Sequence, residues 1–318
     1  MRRGKHNSAT SERGAILLVV LWVVIALGVL AFEFASNVKL GARSVRNSKE
    51  GTAGYFLAKA AVNESIFEML KFGQPGVDPD AVALFNQLRI SRVPLTFTLD
   101  TGQAQCWVEN EMGKLDLNMG SPILFQNLLV QQYGLTDREA MDLIARWNEW
   151  RKPTSDSDPE LHGGPLNSIE DLAALKGMKA EIIYGSWGLT SENMVKQRRG
   201  LIELATVFTG SQQINLNYAP VEILRALPGV DASEAEALVR TRNQHFFKSV
   251  SDCQDRVPLQ FNDIARGMVT VEESPVLTLV ATGRATGSSV DRTVRVIMQF
   301  NSQDPLGYRI LYWKDEEI

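Results

Sequence analysis

Hydrophobic and polar positions divide the chain into a run, a stripe and an alternation. From Ala15 to Phe32 the sequence AILLVVLWVVIALGVLAF carries no charge, no proline and no strongly polar side chain. As a helix this run reaches about 27 Å, enough to cross the hydrocarbon core of a bilayer. It is apolar all round, whereas a helix packed on a globular core keeps a polar stripe, so it reads as a membrane span. Beyond it Phe34, Val38, Leu40 and Val45 are interleaved with Lys39, Arg43, Arg46 and Lys49. Tyr55, Phe56, Leu57, Ala58, Ala61, Val62, Ile66, Phe67, Met69 and Leu70 then recur at helical spacing. The pattern predicts one long helix over 15–72, apolar first and amphipathic second. Gly51 and Gly54 are expected to loosen or bend it, and Phe72-Gly73-Gln74-Pro75-Gly76 ends it.

Alternation follows. Thr96 to Asp100 and Ala104 to Glu109 are β-prone and flank a hairpin-like turn at Thr101-Gly102-Gln103, and Gly113 to Asn118 offers a short further strand. The pattern is then largely helical to about Val271. Strand character returns at Val276–Thr282, Thr293–Phe300 and Tyr308–Trp313, with Gly283 and Gly287-Ser288-Ser289 marking a hairpin. The fold class expected is α+β: a long N-terminal helix and an antiparallel sheet, with an all-α domain inserted into the sheet. The boundaries are a basic leader at 1–14, the helix at 15–72, the first part of the β domain at 73–118, the inserted helical domain at 119–271 and the second part of the β domain at 272–318.

Inside the insert one pattern occurs twice, LDLNMGSPILFQNLL…YGLTDREAMDLIARW from Leu115 and INLNYAPVEILRALPGVDASEAEALVRTR from Ile214. Asn118 and Asn217 suit the turn before a helix, and Pro122 and Pro220 suit its first turn. Gly134 and Gly229 supply the left-handed residue between two helices, and Asp137 and Ser233 are placed to cap the second. LNSIEDLAALKGM at Leu166 is a third, partial echo, matched by FKSVSDCQDRV after the second copy. The economical reading is two helix-hairpin-helix units in one bundle.

The 318 residues carry a formal charge of −4, and without the four cations and one acid of residues 1–14 it becomes −7. Such a body has no general attraction for nucleic acid or anionic lipid. Arg2, Arg3, Lys5 and Arg13 predict a cytoplasmic N-terminus and a body on the far side of the membrane. Cys106 and Cys253 then lie where a disulfide is permitted, and both a bond and two buried free thiols stay open. His6, His162 and His245 are the only histidines, and there is no nucleophile elbow, Walker loop or zinc spacing. Nothing points to an enzyme.

A basic leader, Gly14 and an uninterrupted apolar helix resemble the processing site of type IV pilin-like proteins. That resemblance implies cleavage between Gly14 and Ala15 by a prepilin peptidase, with methylation of the new terminus. With GKLDLN at Gly113 and INLNYAPVEILRALPGV at Ile214, the chain resembles protein K of the general secretion pathway over nearly its whole length. This implies a minor pseudopilin of a type II secretion system, joining I- and J-type partners at the pseudopilus tip above an inner-membrane platform. Most pilins have a glutamate fifth in the mature helix; here that residue is Val19, as the K-type family also lacks it. Ala15 replaces the usual aromatic first residue, and Arg151 to Gly164 is shorter than its counterpart in many members. K-type relatives can bind Ca²⁺, for which Asp156, Asp158 and Glu160 offer oxygens, although without EF-hand spacing they also read as solvated turn residues. The alternative is a membrane-anchored helix-hairpin-helix DNA receptor of the uptake type. Against it, Asp231, Glu234 and Glu236 follow Gly229, where a second glycine and a Lys or Arg would be expected.

Overall fold

A computed structural model describes residues 9–72, 93–152, 163–189, 195–257, 259 and 261–316. Helix α1, Ala9–Phe72, is a single helix of 64 residues, about 96 Å long. From Leu18 to Ala35 its side chains are exposed. From Gly51 on, Leu57, Ala58, Ala61, Val62, Ile66 and Met69 form a buried stripe that packs on a sheet. The helix is unbroken at Gly51 and Gly54, so the expected loosening gives way to another role. A Cβ on Gly54 would stand 2.9 Å from the carbonyl oxygen of Gly283, and one on Gly283 would stand 2.2 Å from that of Gly54. The two glycines let helix and strand backbones meet. At Gly51 the Arg292 guanidinium fills the space a side chain would need.

The sheet has five antiparallel strands. They are β1 Leu95–Leu99, β2 Gly102–Asn110, β9 Val276–Ala285, β10 Asp291–Phe300 and β11 Tyr308–Glu316, in the order β1-β2-β9-β10-β11. Alternation along them supplies the inner face, with Ala104, Cys106 and Val108 on β2, Leu277, Leu279 and Ala281 on β9, and Val294, Val296 and Met298 on β10. The strands read from the sequence are present. β10 also carries a register irregularity between Ile297 and Met298 against β11.

Because β2 pairs directly with β9, everything between Asn110 and Val276 leaves the sheet and returns beside its own start. This segment holds β3 Leu115–Asp116, α2 Pro122–Tyr133, α3 Asp137–Trp150, α4 Ala180–Tyr184, β4 Ser186–Leu189, β5 Val195–Arg198, α5 Leu201–Leu204 and β6 Ala205–Thr206. It continues through β7 Ile214–Asn215, α6 Val221–Ala226, α7 Ala232–Gln244, α8 Val250–Arg256, α9 Asp263–Gly267 and β8 Val269–Thr270. It builds its own core around Leu124, Phe125, Leu128, Trp147, Leu216 and Leu224. The largely helical reading needs one correction: β3 pairs with β6 and β7 with β8, both parallel, and β4–β5 is a hairpin. Two-residue ladders carry too little periodicity to be read from a pattern. The second-helix caps also fall earlier than expected, at Thr136 rather than Asp137 and at Asp231 rather than Ser233, each in a capping box.

The helical unit sits on the outer face of the sheet at one end. Glu170 accepts hydrogen bonds from Tyr312 Oη at 2.9 Å and Lys314 Nζ at 2.7 Å on β11, and Phe208 packs against the Tyr312 ring. Beneath them Glu111 and Lys114 form a buried ion pair, and Thr278 donates to Glu111 at 2.5 Å. Burial raises the Glu170 carboxyl, but the Lys314 ammonium and the Tyr312 hydroxyl outweigh it and hold it below its ordinary value. The stability of a group so lowered is complete above its unfolded value and is lost as pH falls through the folded one. Glu170→Gln should therefore cost about 1 kcal/mol at neutral pH and flatten the acid limb of the stability curve; urea titrations from pH 7 to 3 check this. Gly283→Ala should cost about 1–3 kcal/mol through overpacking against α1, read as a lowered urea midpoint.

Candidate functional site

Two features stand out as functional, the bare half of α1 and the helical unit. Along α1 the large apolar side chains from Leu18 to Phe34 are 49–74 % exposed. The helix is long and apolar enough to cross a membrane. Val19 is one of these exposed residues. Gly14 and Ala15 lie within the second turn of the same helix.

In the helical unit the sequence repeat becomes a repeat of hydrogen bonds. Asp116 Oδ1 accepts the Asn118 backbone N–H at 2.8 Å, and Asn215 Oδ1 accepts that of Asn217 at 2.8 Å. Asn118 exchanges two bonds with the Leu166 backbone, at 2.8 and 3.0 Å. Asn217 does the same with Phe247, at 2.9 and 3.0 Å. Leu117 N–H reaches Thr206 O at 2.8 Å, and Leu216 N–H reaches Thr270 O at 2.9 Å. An arginine arm closes each copy, the half-buried Arg151 to Leu117 O at 3.3 Å and the buried Arg242 to Leu216 O at 2.7 Å. The asparagines read as turn formers are thus clips, each fixing the third helical segment of its copy. The parallel ladders went unread, though Ala205-Thr206-Val207 against Val269-Thr270-Val271 carries their signal.

One difference between the copies follows from donor chemistry. Asp116 Oδ2 meets two donors, Thr209 Oγ1 and Gly210 N–H, both at 2.8 Å, which suits an acceptor-only carboxylate. Asn215 Nδ2 instead donates to Glu272 O at 2.6 Å, which needs an amide.

Gly134 and Gly229 take left-handed backbones, φ 72° and 81°, between paired helices α2–α3 and α6–α7. The second-helix N-termini, where phosphate would bind, are already served by the chain. Thr136 and Glu139 cap α3 reciprocally. Asp231 accepts the Glu234 N–H at 2.8 Å, and that bond and Ser233 hold its carboxyl below the usual range. Cys106 lies in the sheet core and Cys253 in the helical core; both are free and buried, so no bond joins them. Burial raises the Cys106 thiol to about 11 and the Cys253 thiol to about 12. Asp156, Asp158 and Glu160 lie outside the described residues. Among the described residues no group of three or more His, Cys, Asp or Glu could hold a metal.

Residues 214–272, the second copy, match the family described as type II secretion system (T2SS), protein K. The fold resembles a chain of the GspK-GspI-GspJ complex from the type 2 secretion system of enterotoxigenic Escherichia coli. The TM-score is 0.51 at 16% identity, covering 80% of this chain and 99% of that one. The family match lies within the helical unit, and the structural likeness extends over the fold. No curated protein matched the sequence. Asn217→Ala should cost roughly 2–4 kcal/mol by stranding the Phe247 N–H and carbonyl in the core. Asn215→Asp should cost about 2 kcal/mol by setting a carboxylate against the Glu272 carbonyl, whereas Asp255→Asn, an exposed change on α8, should be near neutral. Urea unfolding followed by near-ultraviolet circular dichroism separates the three.

Proposed function

We propose that the chain seats at the tip of a type II secretion pseudopilus, where it helps start the fibre and serves export of folded proteins across the outer membrane. The observation that carries this reading is one continuous element. An apolar, unpartnered stem passes without a break into the buried stripe that holds the sheet, and the sheet carries a helical unit whose second copy matches protein K. The solved K chain is complexed with GspI and GspJ, and we extend I- and J-type partners to this chain. In the same reading a prepilin peptidase cuts between Gly14 and Ala15, the body faces the periplasm, and the stem waits in the inner membrane beside the secretion platform. Val19 presents no carboxylate in the bilayer, where an unpaired one would be costly; this suits a subunit with no neighbour ahead of it.

Capped hairpin N-termini and acids at Asp231, Glu234 and Glu236 speak against a phosphate-binding role. Protein recovered from cells should begin at Ala15, and a Gly14→Val variant should stay uncut and fail to assemble. Coexpressed I- and J-type pseudopilins should copurify with the chain. Normal assembly of the Gly14→Val protein, or a clear low-salt gel shift of duplex DNA, would overturn the assignment.

A further inference from the structure

The inner face of the sheet is covered by α1 and one end of its outer face by the helical unit, which leaves the other end of the outer face uncovered by any described element. Cross-strand register sets two rows of side chains there. One row is Thr96, Gln105, Thr282 and Thr293, which pairs with Glu316 on the edge strand β11, and the next is Thr98, Gln103, Arg284 and Asp291. Trp107 follows Gln103 and Gln105 on the same face of β2 and lines the same groove, which encloses about 550 Å³ beside the 285–290 turn. The face of a sheet that meets water is ordinarily polar, but it ordinarily carries free charge, and 22% of this chain is charged. The side chains lining the groove include one cation and one anion, and they cancel: Arg284 Nε and Nη2 each donate to Asp291 at 2.5 Å. Thr282 and Thr293 share a hydrogen bond at 2.9 Å. What remains toward the groove is amide and hydroxyl groups beside one indole ring.

We infer that this groove is a binding site for a neutral, extended β-1,4-linked glycan. Uncharged hydroxyl-rich ligands match a lining with no net charge, and planar amides can both donate to and accept from sugar hydroxyls. The Trp107 ring offers an apolar face for the C–H side of a pyranose. Strands stand about 4.8 Å apart, close to the length of one pyranose unit, so a straight glycan crossing the strands meets a polar side chain at each ring. A flat platform of this kind favours a straight β-1,4 chain over a coiling α-1,4 one. The site is independent of the stem and of the helical unit, so its test leaves the assembly reading untouched.

The test is isothermal calorimetry and saturation-transfer NMR on the full chain, held in micelles of a detergent without a sugar headgroup. Chitohexaose, cellohexaose and maltohexaose serve as probes. Chitohexaose and cellohexaose should bind at least about tenfold more tightly than maltohexaose. Trp107→Ala should weaken that binding by about tenfold or more, with circular dichroism confirming the fold. If that variant unfolds, the exposed double change Gln103→Glu with Gln105→Glu replaces it and should show the same loss. The inference is overturned if neither β-linked hexamer binds, if maltohexaose binds equally well, or if a folded groove variant binds undiminished.

Discussion

The pairing of β2 with β9 constrains everything else. Asn110 ends one strand, Val276 begins its neighbour, and all the intervening chain must leave and re-enter the sheet at one place. An insertion tolerates this only when its own two ends lie together. Each copy of the repeat achieves that locally: β3 lies beside β6 and β7 beside β8, so each copy is closed before the next begins. The Asn118 and Asn217 clips then hold the third segment of each copy against its first. Two closed units in series end where they started. This is what lets a helical body of such size hang from a sheet without distorting it.

The same economy explains the hairpins. A helix N-terminus between two packed helices has N–H groups that must be satisfied. Here carboxylates of the chain itself supply the partners, with Glu139 at one hairpin and Asp231 with Glu234 at the other. A hairpin built that way is a packing unit, and anions gain nothing by approaching it. The acids that would repel phosphate at these hairpins are therefore also what cap their helices.

The stem and the sheet are coupled by backbone approach. Gly54 and Gly283 let α1 lie close enough for Leu57, Ala58 and Ala61 to fill the inner face, so the stem is rigidly joined to the globular body. The apolar half of α1 is continuous with the half packed on the sheet, and the sheet meets the helical unit through Glu170, Tyr312 and Lys314. In the assembly role proposed above, that chain of contacts would link the stem to the helical unit.

By itself the sequence determined the elements whose physics is local. These are the apolar run and the amphipathic stripe of α1, the five sheet strands, the two glycines at the hairpins and the repeat that relates the helical copies. Only the tertiary structure decided what depends on partners distant in the chain. It placed Cys106 and Cys253 in separate cores, and it turned Gly54 from a weak point of a helix into its closest contact with the sheet. It also made Asn118 and Asn217 clips rather than turn residues and moved the caps one and two residues earlier, to Thr136 and Asp231. The physical reason is the same throughout. Periodicity and propensity report which face of an element is buried, but a hydrogen bond across 30 or 48 positions exists only once the fold brings its partners together.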